Sequence, residues 1–142
     1  ADRRGPLAEG AAERRGEARQ AVSAAALAGF LDQVPGPVDL LFGALADKDA
    51  GEMLGPLAPR VRKIHLTTPP SDRARPPEEL AALLPGREVE VEPDPDRALD
   101  RALQPGVTLV VCGSIYLIGD VRKRLRERFG VPAPASAPLY VV

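Results

Sequence analysis

Short apolar runs alternate with helix-favouring stretches along most of this chain, and that alternation constrains its fold more than any other feature. VDLLF (38–42), KIHLT (63–67), EVEV (88–91) and VTLVVC (107–112) read as strands. Residues 49–57, 76–84 and 94–103 read as the helices between them, and 114–129 as the helix after the last strand. Local chemistry supports most of these helices. Asp49 and Glu52 have the spacing of a capping box. Proline opens the 76–84 segment, where a missing N–H costs nothing. Leu117, Ile118, Val121, Leu125 and Phe129 form one apolar stripe at helical spacing. An Ala-rich helix is expected over 17–33, with Leu27, Phe30, Leu31 and Val34 on one face and Pro35-Gly36-Pro37 as its stop.

Strands alternating with helices predict an α/β fold: a Rossmann-like, mostly parallel sheet of about four or five strands. Right-handed crossovers place helices on both faces. VTLVVC is the most apolar strand and is expected inside the sheet, and residues 139–142 are expected to add an edge strand. Residues 1–16 (ADRRGPLAEGAAERRG) lack large apolar groups and read as a flexible tail. Residues 131–142 read as a Pro-rich tail ending in that edge strand.

Composition narrows the function. At 142 residues the chain suits one domain. Nineteen Lys+Arg against twenty Asp+Glu leave a formal charge of −1, which gives no electrostatic reason to bind nucleic acid or an anionic membrane. One Cys excludes an intrachain disulfide or a Cys-based zinc site, and one His argues against a His-rich metal centre. No apolar run approaches the roughly 20 residues of a membrane span. The start, Ala1-Asp2-Arg3-Arg4, is unlike a signal peptide, so a cytoplasmic protein is expected. There is no G-x-x-x-x-G-K-[ST] phosphate loop, no G-x-G-x-x-G fingerprint and no nameable nucleophile–base pair.

In parallel sheets, ligands bind beyond the carboxyl ends of the strands. That rule selects residues 43–49, 67–73 and 113–116. Gly113 allows close backbone approach, and Ser114 stands at a helix start, either as a simple cap or as part of an anion site. Asp47, Lys48 and Asp49 make a polar loop that is either the mouth of a site or a solvated connection. Arg73 can grip a phosphate or carboxylate, or lie idle on the surface. The basic run Arg122, Lys123, Arg124, Arg126 and Arg128 reads as a solvated helix face. His65 reads as a core or surface imidazole, and Cys112 as a small inert hydrophobe.

Taken together, three segments are similar to a known family. FGALADKD (42–49), a T-x-P-x-x-x-R-A loop ending at Ala74 and VCGSIYLIGDVR (111–122) occur in order with fitting spacing. They resemble the C-terminal domain of bacterial folylpolyglutamate synthase/dihydrofolate synthase, of the Mur ligase superfamily, over residues 38–122. The resemblance implies a Mur ligase C-terminal domain over residues 17–130. It implies an ATP-dependent ligase in which ATP phosphorylates a carboxylate of folate or dihydropteroate and the amine of glutamate attacks the acyl phosphate. ATP and Mg²⁺ would be bound mainly by an N-terminal P-loop ligase domain, the partner of this one. No nucleic acid and no membrane partner is implied.

On the matching positions, Gly113 and Ser114 would lie near the incoming glutamate. Asp47, Lys48 and Tyr116 would line the glutamate and nucleotide cleft, with Arg73 on the same edge. The sequence departs from the family where D-G-A-H-N-P should precede the first helix: here Gly16-Glu17-Ala18-Arg19-Gln20-Ala21 matches only at Ala18. Divergence, a foreign N-terminal segment or truncation would each explain that. The departure leaves no catalytic residue to assign, and the isolated chain is expected to be inactive. The alternatives are a non-catalytic binding domain that kept the scaffold, or a free-standing phosphate-binding α/β protein.

Overall fold

Alternate side chains of a strand face opposite sides of its sheet, and the apolar residues here divide accordingly into two cores. The computed structural model describes residues 24–129 and 139–141. Its elements are α1 (Ala24–Leu31), β1 (Val38–Phe42), α2 (Ala50–Leu57), β2 (Lys63–Leu66), α3 (Pro77–Ala81), β3 (Val89–Val91), α4 (Pro95–Ala102), β4 (Thr108–Cys112), α5 (Ile115–Phe129) and β5 (Leu139–Val141). Leu40 and Phe42 of β1, Ile64 and Leu66 of β2, and Val110 and Cys112 of β4 face one way. They pack with Leu27 and Leu31 of α1, Leu54 and Leu57 of α2, and Leu80 of α3. Leu41, Leu109 and Val111 face the other way, against Ala98 and Leu99 of α4 and Leu117, Val121 and Leu125 of α5.

The five strands lie in the order β3-β2-β1-β4-β5, and every adjacent pair is parallel. The α/β fold with a parallel sheet and helices on both faces is as the alternation predicts. β4 is interior, and β5 is the edge strand expected at the C-terminal end. The chain runs outward from β1 through β2 to β3, then returns across the sheet to β4 on the far side of β1. That reversal puts α2 and α3 on one face and α4 and α5 on the other, and it makes the β1/β4 boundary the switch point of the topology.

Several boundaries differ from the sequence expectation, for local reasons. The helix expected at 76–84 closes at Ala81. Beyond Ala82, the N–H groups of Leu83 and Leu84 reach back only three residues, to Leu80 and Ala81, so its end tightens ahead of Pro85. Ser114 lies outside α5 as its cap, and Asp94 outside α4 as its cap. Asp49 caps α2 by accepting from the Glu52 N–H at 3.1 Å. The first helix ends at Leu31, before Pro35. Its expected first turns (17–23), the tails 1–16 and 131–138, and the Gly16–Ala21 departure lie outside the described residues.

One feature of β1 was not expected: Asp39, a fully buried carboxylate in an otherwise apolar strand. Arg62, just before β2, grips it in bidentate fashion, with Nε at 3.0 Å and Nη2 at 2.8 Å. A buried charge needs such a partner. His65 is also buried, with Nδ1 3.9 Å from Glu90 and Nε2 4.0 Å from Asp39. Burial pushes its pKa below the usual 6.5, so the ring stays neutral at pH 7. It belongs to the core, one of the two sites the sequence left open for it.

Candidate functional site

The switch point is built around two glycines. Gly43 ends β1, and its N–H donates to the Cys112 carbonyl at 3.4 Å. On the other side of β1, the Thr67 N–H donates to the Phe42 carbonyl at 3.0 Å. Gly43 is therefore flanked by the ends of β2 and β4. A β-carbon on Gly43 would lie 3.0 Å from the Thr67 carbonyl oxygen, 3.1 Å from Pro69 Cδ and 3.3 Å from Leu117 Cδ2. Gly113 has φ +112°, and a β-carbon there would lie 2.3 Å from the Gly43 carbonyl oxygen and 2.9 Å from the Phe42 ring. Only glycine fits that approach. The three segments selected from sequence thus meet at one carboxyl-end rim.

Ser114 follows Gly113 and is buried; its Oγ accepts from the Tyr116 N–H at 3.1 Å. The capping role is therefore observed. A hydroxyl that accepts one bond still has its own proton to offer, and this one stands at the N-terminus of a 15-residue helix, where an anion is favoured. Ile115 and Tyr116 open that helix with exposed side chains.

Asp47 and Lys48 lie exposed on the loop after β1. Arg73, on the loop after β2, approaches Asp47 with Nη1 3.5 Å from Oδ2, so two residues singled out separately from sequence form one exposed pair. The two loops are also joined by backbone. Leu45 and Ala74 form an antiparallel bridge, and the Ala46 N–H donates to the Arg73 carbonyl at 2.8 Å. Arg75, which sequence reasoning passed over, donates through Nη2 to the carbonyls of Ala46 at 3.0 Å and Lys48 at 2.9 Å. No sequence signal marks it, because its partners are carbonyls more than 25 residues away.

Other candidates are occupied elsewhere. Burial pushes the Cys112 thiol up to about 12, so no thiolate nucleophile is available near neutral pH. In the basic run of α5, Arg124 pairs with Asp120 and Asp96, and Arg128 with Asp96 and Asp100. The pairs to Asp96 and Asp100 tie α5 to α4, while Lys123 and Arg126 of the same run stay exposed. Among the described residues, no three His, Cys, Asp or Glu side chains gather as metal ligands, and no helix is long and apolar enough to cross a membrane.

Fold and site together define a doubly wound, all-parallel α/β domain with a glycine-lined polar rim at its switch point. The family described as Mur ligase, glutamate ligase domain matches residues 18–115, and this chain belongs to it. Among solved structures, the chain is similar to bifunctional folylpolyglutamate synthase/dihydrofolate synthase from Yersinia pestis CO92, at 29% identity and a TM-score of 0.65, over 72% of this chain and 25% of that one. It is also similar to E. coli FolC in complex with ADP, without folate substrate, at 25% identity and a TM-score of 0.67, over 74% and 26% of the two chains. With the same enzyme in complex with DHPP and ADP, identity is 26% and the TM-score 0.66, again over 74% and 26%. The chain spans about a quarter of the length of these proteins. No curated protein matches it significantly.

Proposed function

We propose that this chain is the C-terminal domain of a cytoplasmic, ATP-dependent ligase that adds glutamate to folate or dihydropteroate, and that it is inactive alone. The observation that carries the reading is the meeting of the Gly43, Thr67 and Gly113 segments at one rim, with Asp47 and Arg73 paired on it. Family membership and the folylpolyglutamate/dihydrofolate synthase relatives support it.

The rim suits the amino-acid half of such a reaction. A carboxylate of glutamate can accept from the Ser114 hydroxyl and sit at the positive end of α5. Lys48 and Arg73 add cations for that carboxylate or for phosphate oxygens. Gly113 lets the end of β1 pack directly against the backbone that leads into Ser114, and Tyr116 stands exposed beside it. Asp47 offers an acceptor for the glutamate ammonium.

ATP and Mg²⁺ belong to this reading as the source of the activating phosphoryl group. This chain's described residues do not form a site that would hold them unaided, since they include neither a metal-ligand cluster nor a phosphate loop. The reading therefore assigns both to an N-terminal P-loop domain, and no step here runs through them.

ADP release tests the reading. The protein that carries this chain together with a P-loop domain should release ADP only when folate or dihydropteroate and glutamate are both present. The 142-residue chain alone should release none. Turnover by this chain alone overturns its inactivity, and turnover of the larger protein without glutamate dependence overturns the ligase assignment.

A second reading rests on one observation, the loss of D-G-A-H-N-P at Gly16–Ala21. In that reading the domain keeps the scaffold for binding alone. A P-loop domain encoded directly upstream favours the ligase, and its absence favours the binding domain.

A further inference from the structure

Arg75 joins the two loops of the rim more firmly than the Asp47–Arg73 pair does. That pair is 3.5 Å apart with both side chains 59% exposed, and solvated pairs of this kind contribute little. The Arg75 side chain is only 25% exposed. Its Nη2 donates to two carbonyls, those of Ala46 and Lys48, which flank Asp47 in the chain. Its own N–H donates to the Ala44 carbonyl at 2.9 Å, and Nη1 reaches Glu79 of α3 at 3.5 Å. One residue thus fastens the turn that carries Asp47 and Lys48 to the loop after β2 and to the helix behind it.

We propose that Arg75 is a positioning residue of the rim. It acts through the backbone of Ala46 and Lys48 and fixes the direction in which Asp47 and Lys48 leave the turn toward the ammonium and carboxylate of a bound amino acid. This rests on the reading of the rim as the ligase cleft. The chemistry calls for arginine: its planar fork serves two carbonyls and a carboxylate at once, whereas a lysine is a point charge that satisfies fewer acceptors. With alanine at 75, both carbonyls can turn to water. The strands then hold while the turn loosens.

Two measurements test it. The first is amide hydrogen exchange on the 142-residue chain. In R75A the Ala46 and position-75 amides should exchange roughly tenfold faster or more, while Leu40 and Val110 keep wild-type rates, and R75K should fall between. Wild-type exchange at Ala46 in R75A overturns the proposal, whatever the larger protein catalyses.

The second is a double-mutant cycle in the ligase that carries this chain. R75A should lower kcat/KM for glutamate about tenfold, with partial recovery in R75K. Adding R75A to K48A should cost little more, because the two act through one turn. Full additivity overturns the proposal. No ligation by the wild-type protein counts instead against the ligase reading, and the exchange result then decides the role of Arg75.

Discussion

Gly113 is the residue on which the geometry of the rim depends most. An alanine there must adopt φ +112° and place its methyl 2.3 Å from the Gly43 carbonyl oxygen, so the backbone has to move. G113A should lower stability by about 2 kcal/mol or more, from strain and clash together. Urea denaturation checks this, and a midpoint equal to wild type would contradict the packing described. His65 makes the second prediction at this scale. Its folded pKa lies below the usual 6.5, so the unfolded chain binds the proton more readily. Stability is then complete above about pH 6.5 and falls as pH drops through that value toward the folded pKa. Glu90, held below its usual 4.5 chiefly by the hydrogen bond from Lys63, adds its own loss only in more acid solution. H65Q should flatten the fall between pH 6.5 and 4.5, and an unchanged slope would remove His65 as its cause.

Among the elements, α5 links core to site. Leu117, fully buried, packs against β4 and reaches to within 3.3 Å of where a Gly43 side chain would begin. L117A should cost about 3 kcal/mol, the range for a buried leucine. It should also loosen the Gly43 segment, which Gly43 and Thr67 amide exchange can read. Elements with a strong local signal were legible in the sequence. VDLLF and VTLVVC read as strands, and Asp49 and Ser114 each stood where a helix needed a cap. The rest depended on distant partners. Asp39 reads as one polar residue in an apolar strand until Arg62 is known to sit across from it. Arg75 gains its role only when two loops are brought together. The end of α3 was obscured because Leu83 and Leu84 continue the helical pattern while the backbone tightens.

For the whole molecule, the proposed function would make this chain one part of a larger catalyst, its rim holding an amino acid's anionic end at the switch point of a parallel sheet. The order β3-β2-β1-β4-β5 produces that rim, because it brings the loops after β2, β1 and β4 side by side. The most direct test is the KM for glutamate of the S114A variant, measured in the full ligase at a temperature where both proteins are folded. Losing a hydrogen bond to a carboxylate should raise that KM by roughly 10- to 100-fold and leave the KM for ATP unchanged. An unchanged KM for glutamate would contradict the account.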